Sequence, residues 1–270
     1  MKPDEIAVAI EKFRLQGFII PHSSLIKTPE QIEGIRRSGK ITTQILDLVA
    51  KEIHTGMTTA EIDKLVYDYT ISQNAIPAPL NYAGFPKSVC TSINDVVCHG
   101  IPDGKTVLKS GDIVNVDVST IFNGYFSDAS RMFLIGNVTA EAKQLVETAR
   151  ECLDIGAQQV KPFNSINEIG SAIEPFANNR GYTVVRDLGG HGVGLKFHED
   201  PHIDHFSKNG KGVLMLPGMV FTVEPMINEG RYSVKLARDK WTVKTQDGSL
   251  SAQWEYTLVV TNSGYEKLAW

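Results

Sequence analysis

The chain has 270 residues, 42% of them hydrophobic and 21% charged, which is ordinary for a globular protein and long enough to bury a core without staples. A formal net charge of −4 leaves no basic excess to neutralise phosphates, so no nucleic-acid substrate is expected. The three cysteines, Cys90, Cys98 and Cys152, form no Cys-x-x-Cys pair, which argues against a disulfide framework or a zinc finger.

The first segment, Met1 to Ile26, carries acids in its opening turns and no long apolar run. It reads as neither a secretory signal nor a membrane span, and a cytoplasmic monomer without a membrane partner is expected. Residues 1–26 are expected to form a short, partly helical extension, and residues 27–270 one domain. Thr28-Pro29-Glu30-Gln31 opens a helix, with Thr28 as cap, Pro29 at the first turn and Gln31 closing a capping box. Ile32, Ile35, Ile41, Ile45 and Val49 follow helical spacing, and Gly56 ends the segment. Thr58-Thr59-Ala60-Glu61 is a second capping box, opening a helix towards Ser72. Strands are expected at Ser88 to Cys98, Ile113 to Phe122 and Tyr125 to Ile135.

The order then recurs. A long helix is expected from Ala140 to Val160. Ser165-Ile166-Asn167-Glu168 reads as a third capping box for a helix beginning near Pro162. Strands follow at Tyr182 to Arg186, Met219 to Asn228 and Gln253 to Thr261. The block Gly111-Asp112-Ile113-Val114-Asn115-Val116-Asp117 aligns with Gly218-Met219-Val220-Phe221-Thr222-Val223-Glu224. Each runs from a glycine through strand-like text to an acid at the same offset. Asp128 is expected to begin a strand ending near Gly136, as Glu255 begins one ending near Gly264. A duplicated α+β half with pseudo-twofold symmetry accounts for the echo. Chance similarity between two ordinary strands is the alternative.

Along Ile113 to Ser119, the residues Val114, Val116 and Val118 share one face while Asn115, Asp117 and Ser119 share the other. Asn123-Gly124 is a strong hairpin turn signal. A two-residue loop there pairs 117 with 130 and 119 with 128. Asp117 and Asp128 then sit diagonally on one face, with Cβ atoms on the order of 7 Å apart. Like charges that close repel unless a cation lies between them. Glu224 and Glu255 are the matching acids of the second half, again inside strand-like text. Buried unpaired carboxylates are costly, so four such acids point to a shared positive partner. For any one of them, a sheet edge facing water is the ordinary alternative.

His191, in Gly189-Gly190-His191-Gly192-Val193-Gly194, is the candidate fifth ligand. A lone histidine is often structural, and glycine-rich loops also cradle phosphates, but this run lacks the Lys-Ser/Thr ending of a phosphate loop. Carboxylate oxygens with one imidazole suit a pair of divalent ions such as Mn, Fe, Co or Zn. Such a pair lowers the pKa of a bound water.

These residues resemble the ligands of a known family. Asp117, Asp128, His191, Glu224 and Glu255 resemble the five metal ligands of type I methionine aminopeptidases. The likeness runs from about Ile26 to Tyr265. Its most specific phrases are Phe85-Pro86-Lys87-Ser88-Val89-Cys90, Asn94-Asp95-Val96-Val97-Cys98-His99-Gly100-Ile101-Pro102, Gly190-His191-Gly192-Val193-Gly194 and Glu224-Pro225. The resemblance implies a pita-bread fold: duplicated α/β halves, a curved antiparallel sheet and helices outside. It implies removal of the initiator methionine from nascent chains with a small second residue, by water attack activated by two divalent ions.

The roles that the resemblance implies are these. Asp117 and Glu255 would bridge both ions, Asp128 would hold one, and His191 and Glu224 the other. Glu224 would also shuttle the proton of the attacking water. His198 would hydrogen-bond the scissile carbonyl, and His99 the peptide nitrogen beyond it. Tyr82, Phe85, Cys90, Phe197 and Trp241 would line the methionine pocket; without the resemblance they read as core packing. A monovalent cation, Na or K, is implied near Asn94, Val96 and Ser251, and a transient contact with the ribosome. His202 and His205 read as surface or second-layer groups. The sequence departs from the family pattern at Pro79, Phe85, Leu188-Gly189 and Tyr256. An Xaa-Pro aminopeptidase or prolidase of the same fold is the competing reading, but such enzymes carry a large N-terminal domain. A non-catalytic relative would have lost ligands that this chain keeps.

Overall fold

Helix α1, Pro29–Glu52, starts where the sequence places its cap. Thr28 Oγ1 accepts from the Gln31 N–H at 3.3 Å, and Gln31 Oε1 accepts from the Thr28 N–H at 2.9 Å. Ile35, Ile41, Ile45, Leu46 and Val49 form its buried stripe. The helix stops four residues before Gly56, which turns the chain at a φ of 94°. Helix α2, Thr59–Ser72, has the second reciprocal cap, made by Thr58 and Glu61.

The computed structural model describes residues 10–270. Of the leading segment, residues 1–9 lie outside the described residues. Residues 10–15 are helical. Phe13 packs edge-on to Phe18 and stacks on Phe163, with ring centroids 5.2 and 5.9 Å apart. Ile19 donates its N–H to Gly212 and accepts from the Leu214 N–H. Residues 10–26 therefore lie against the second half of the molecule.

The first half continues through β1 (Ile76–Pro77), β2 (Cys90–Ile93), β3 (Val96–Cys98), β4 (Ile113–Phe122) and β5 (Tyr125–Leu134). The stretch expected as one strand from Ser88 is two, because Asn94 takes a φ of 54° and turns the chain. β4 is central in its sheet, pairing with β1 and β2 on one side and β5 on the other. The β4–β5 hairpin has the register that a two-residue Asn123-Gly124 loop requires, with Asp117 opposite Ser130 and Ser119 opposite Asp128. Asp128 thus sits inside β5, three residues past its start.

The second half follows with α3 (Ala140–Ala157), α4 (Asn167–Asn178), β6 (Thr183–Val184), β7 (Gly190–Gly192), β8 (Glu199–Ile203), β9 (Val220–Val223) and β10 (Met226–Asn228). It closes with β11 (Val234–Leu236), β12 (Val243–Thr245), β13 (Ser251–Gln253), β14 (Tyr256–Val260) and β15 (Tyr265–Ala269). The third capping box does not form, and α4 starts at Asn167 rather than near Pro162. Ser165 Oγ donates to the Lys211 carbonyl instead, which ties the loop before α4 to the chain around Gly210. The stretches Met219 to Asn228 and Gln253 to Thr261 are each broken in two. Pro225 has no N–H to continue a ladder. The chain therefore leaves the five-stranded sheet β15-β14-β9-β7-β8 at Glu224 and joins β13-β10-β6 at Met226, and β13 passes back to β14 through Trp254-Glu255. Both second-half acids fall in that break.

The helices cover the outer faces of the sheets. One apolar core joins α3 and α4 to β9, β10 and β14; another joins α1 and α2 to β4 and β5. A small cluster of Ile35, Val193, Val220, Val259 and Leu268 stitches the halves together. This is the α+β pita-bread architecture; β4 and β5 carry Asp117 and Asp128, and the breaks between β9 and β10 and between β13 and β14 carry Glu224 and Glu255.

Candidate active site

β4 buries Val114, Val116 and Val118 in the first-half core, so Asp117 must face the opposite side. There it meets Asp128, carried by β5. Glu224 and Glu255 arrive from the broken strands, and His191 from β7. One oxygen each of Asp128 and Glu255 and one nitrogen of His191 lie within 4.8 Å of one another. His191 Nε2 is 3.7 Å from Asp128 Oδ2 and 3.7 Å from Glu224 Oε1. The five side chains expected to converge do so.

Three of the five, Asp128, Glu224 and His191, are held from behind. Ser119 Oγ donates to Asp128 Oδ1 at 2.7 Å, and Thr222 Oγ1 donates to Glu224 Oε1 at 2.7 Å. Gln253 Nε2 donates to Glu224 Oε2 at 3.1 Å. His191 Nδ1 lies 3.0 Å from the Gly192 carbonyl, which can only accept, so Nδ1 carries the hydrogen and Nε2 presents its lone pair to the acids. His205 is 1% exposed, and its Nε2 accepts from the Glu224 N–H at 3.0 Å. Of the two places the sequence left open for it, the structure selects the buried layer behind Glu224.

The electrostatics are unfavourable for the acids by themselves. Burial pushes Asp117 up to about 6 and Glu224 up to about 8. Burial, with Asp117 beside it, raises Asp128 well above the carboxylate range; burial, with Asp128 nearby, does the same to Glu255. Burial also lowers His191 to about 3. Asp117 Oδ1 is out of contact with solvent and has no hydrogen-bond partner. Among the described residues, neither lysine nor arginine lines this cavity, while seven carboxyl groups do. Four acids, three of them buried and Asp117 half-buried with one orphaned oxygen, and one imidazole lone pair form a donor set suited to divalent cations.

The acids form the floor of a cavity of about 430 Å³. Tyr82, Phe85, Cys90, Phe197 and Trp241 all line it, as do His99 and His198. Phe85 and Trp241 meet edge-to-face at 5.2 Å, and Tyr82 and Phe197 at 4.9 Å. Tyr82, at 41% exposure, stands at the rim. The turn that carries it is tightly bent, with Asn81 and Ala83 both at positive φ. The Tyr82 hydroxyl lies 3.1 Å from His198 Nδ1, a link between residues 116 apart that no local pattern announces. Burial lowers both His198 and, to about 4, His99.

Pro79 lines the cavity, and Tyr256 does not; its hydroxyl reaches Asp154 on the far side of the sheet, at 3.1 Å. Cys98, Leu188 and Met226 also line the wall, and the sequence reading had not placed them there. Cys98 stands beside His99, and Met226 follows Glu224-Pro225, so nearness to the motif residues was the available signal. Away from the cavity, the Ser251 N–H donates to the Asn94 carbonyl at 2.9 Å, and Val96 begins β3 two residues further on.

The family model described as metallopeptidase family M24 matches residues 33–262. The chain is 49% identical over 238 residues to methionine aminopeptidase A of a Synechocystis species, covering 88% of this chain and 94% of that one. It is 46% identical over 244 residues to methionine aminopeptidase of Escherichia coli, covering 90% and 92%. The crystal structure of methionine aminopeptidase from Rickettsia prowazekii superposes with a TM-score of 0.89 at 45% identity, covering 91% of this chain and 99% of that one.

Proposed function

Since the chain belongs to metallopeptidase family M24, we propose that its cavity removes the N-terminal methionine from newly made polypeptides whose second residue is small. The chain is a metal-dependent aminopeptidase of the methionine aminopeptidase kind. The observation that carries the reading is the junction of an apolar pocket with four acids, three of them buried, and one imidazole, in a cavity that no lysine or arginine lines among the described residues.

Asp117, Asp128, His191, Glu224 and Glu255 would hold two divalent ions, drawn from Co, Mn, Fe or Zn. When bound, the ions supply Lewis acidity and lower the pKa of a coordinated water. The remaining work falls to the chain. Phe85, Cys90, Phe197 and Trp241, with Tyr82 at the rim, exclude water from the methionine side chain, whose full burial is worth about 1.5–3 kcal/mol. Glu224, fixed at both carboxylate oxygens by Thr222 and Gln253, takes the proton from the attacking water and passes it to the leaving amine. When Tyr82 donates to His198 Nδ1, Nε2 keeps its hydrogen and donates to the scissile carbonyl as negative charge develops there. His99, held neutral by burial, contacts the next peptide nitrogen. A Na or K ion near the Asn94, Val96 and Ser251 backbones would brace the strands behind the pocket.

A transient contact with the ribosome, a monomeric state and a cytoplasmic location complete the proposal. No described helix is long and apolar enough to cross a membrane. The test is a metal-dependent assay on Met-Gly, Met-Lys and Ala-Pro peptides. Hydrolysis of Met-Gly alone is expected, lost on chelation and restored by metal. Preference for Ala-Pro would replace this reading with a proline-directed one.

A further inference from the structure

Lysine is almost never fully buried unless it is paired. Lys27, directly before the α1 cap, is 4% exposed and forms an ion pair with Glu199, whose side chain is 12% exposed. Glu199 follows His198 directly. While Glu199 Oε2 meets Lys27, Oε1 accepts from the Leu195 N–H at 2.6 Å and the Lys196 N–H at 2.8 Å. One carboxylate thus closes the loop that carries Phe197 and His198. The loop is fastened at its start too. Gly194, at a φ of 139°, accepts from the Phe126 N–H at 2.8 Å, and a Cβ there would meet Ile35 Cδ1 at 2.4 Å. Lys27 is itself anchored, its N–H donating to the Gly218 carbonyl at 2.9 Å.

Apolar residues of similar volume would stabilise such a spot about as well as a buried ion pair. The distinctive contribution of the pair is directional. We propose that Lys27 and Glu199 are positioning residues that hold the Leu195–Glu199 loop so that His198 points into the cavity, opposite the hold exerted by Tyr82. The proposal rests on the reading of His198 as the partner of the scissile carbonyl. It gives the segment joining the N-terminal extension to α1 a part in the reaction, although Lys27 does not itself line the cavity.

The test uses the full-length, metal-loaded chain with a Met-Ala peptide. Lys27→Met is expected to lower kcat about ten- to hundredfold while KM and metal content stay within about twofold. In a His198→Ala background the same substitution is expected to change kcat no further, because the group it positions is gone. An unchanged kcat in Lys27→Met, an equal loss in both backgrounds, or a parallel loss of metal would overturn the proposal. Glu199→Gln keeps an acceptor for the two loop N–H groups but removes the charge, and is read in the same way if Lys27→Met does not fold. Unfolding of both variants would assign the pair to the fold and overturn the positioning role. A wild-type chain inactive on methionyl peptides would remove the underlying reading, whereas an active wild type with a fully active Lys27→Met removes only this proposal.

Discussion

The two halves of the molecule share a backbone frame but not an arrangement of acids. Gly111 and Gly218 both open the inner strand at positive φ. Gly111 donates to the Ile135 carbonyl and Ile135 back to Asp112; Gly218 donates to Val260 and Val260 back to Met219. In this frame Asp117 corresponds to Glu224. The residue opposite Asp117 is Ser130, and by the β9–β14 register its counterpart is Glu255. The first half places its second acid at Asp128, two residues nearer the turn. The neighbouring strands differ as well: β2 sets Cys90 opposite Asp117 as pocket wall, whereas β7 brings His191 beside Thr222. Backbone hydrogen bonds tolerate any side chain and so persist through duplication. A site enclosing charge needs donors at particular distances, and the two halves set their second acids at different register positions.

The largest effect is expected from Asp128→Ala, which should lower kcat/KM on Met-Ala peptides by at least about 10³-fold, roughly 4 kcal/mol of barrier. Elemental analysis should show metal lost in parallel, and retained activity would remove Asp128 from the site. Asp128→Ser combined with Ser130→Asp tests the asymmetry itself. It moves the acid to the position matching Glu255, about 6.6 Å along the strand. No recovery above Asp128→Ser alone is expected, and substantial recovery would make the displacement incidental.

The supporting hydroxyls sharpen the comparison. Ser119→Ala and Thr222→Val should each weaken metal affinity about tenfold or more in a chelator competition. Thr222→Val should do the greater damage, because Thr222 Oγ1 also accepts from the His191 N–H at 2.9 Å. Equal losses would show that the two halves support their ligands alike.

The mildest test is pH. Between the ordinary histidine value of 6.5 and about 8, where Glu224 titrates, the folded metal-free chain keeps a proton that the unfolded chain has released. Asp128 and Glu255 are shifted in the same direction. Protons therefore favour folding in that window, and stability falls as pH rises through it, by roughly 1–2 kcal/mol. The urea midpoint of chelated protein should be lower at pH 8 than at pH 6.5, and added divalent ion should remove the difference.

Much of the first half was legible because it is local. Alternation along β4 and the Asn123-Gly124 turn fix which residue faces which, and the hairpin follows that register throughout. The reciprocal caps at Thr28 and Thr58 form for the same short-range reason. The cap expected at Ser165 does not form: its hydroxyl donates to a carbonyl 46 residues away and accepts from the Asn167 N–H, while the Glu168 N–H goes to the Ser165 carbonyl. The breaks at Glu224 and Glu255 were written only as Pro225 in one strand and not at all in the other.

Chain-neighbour chemistry thus determined the helices with good caps, the β4–β5 register and the identity of the acids, since those depend on backbone geometry within a few residues. Tertiary packing alone decided that His191 would face Asp128 and Glu224, that His205 would sit behind Glu224, that Tyr82 would reach His198, and that Lys27 would reach Glu199. Each of those contacts joins segments whose approach is set by how the two halves bury their cores, a property of the whole chain that no short window of sequence contains.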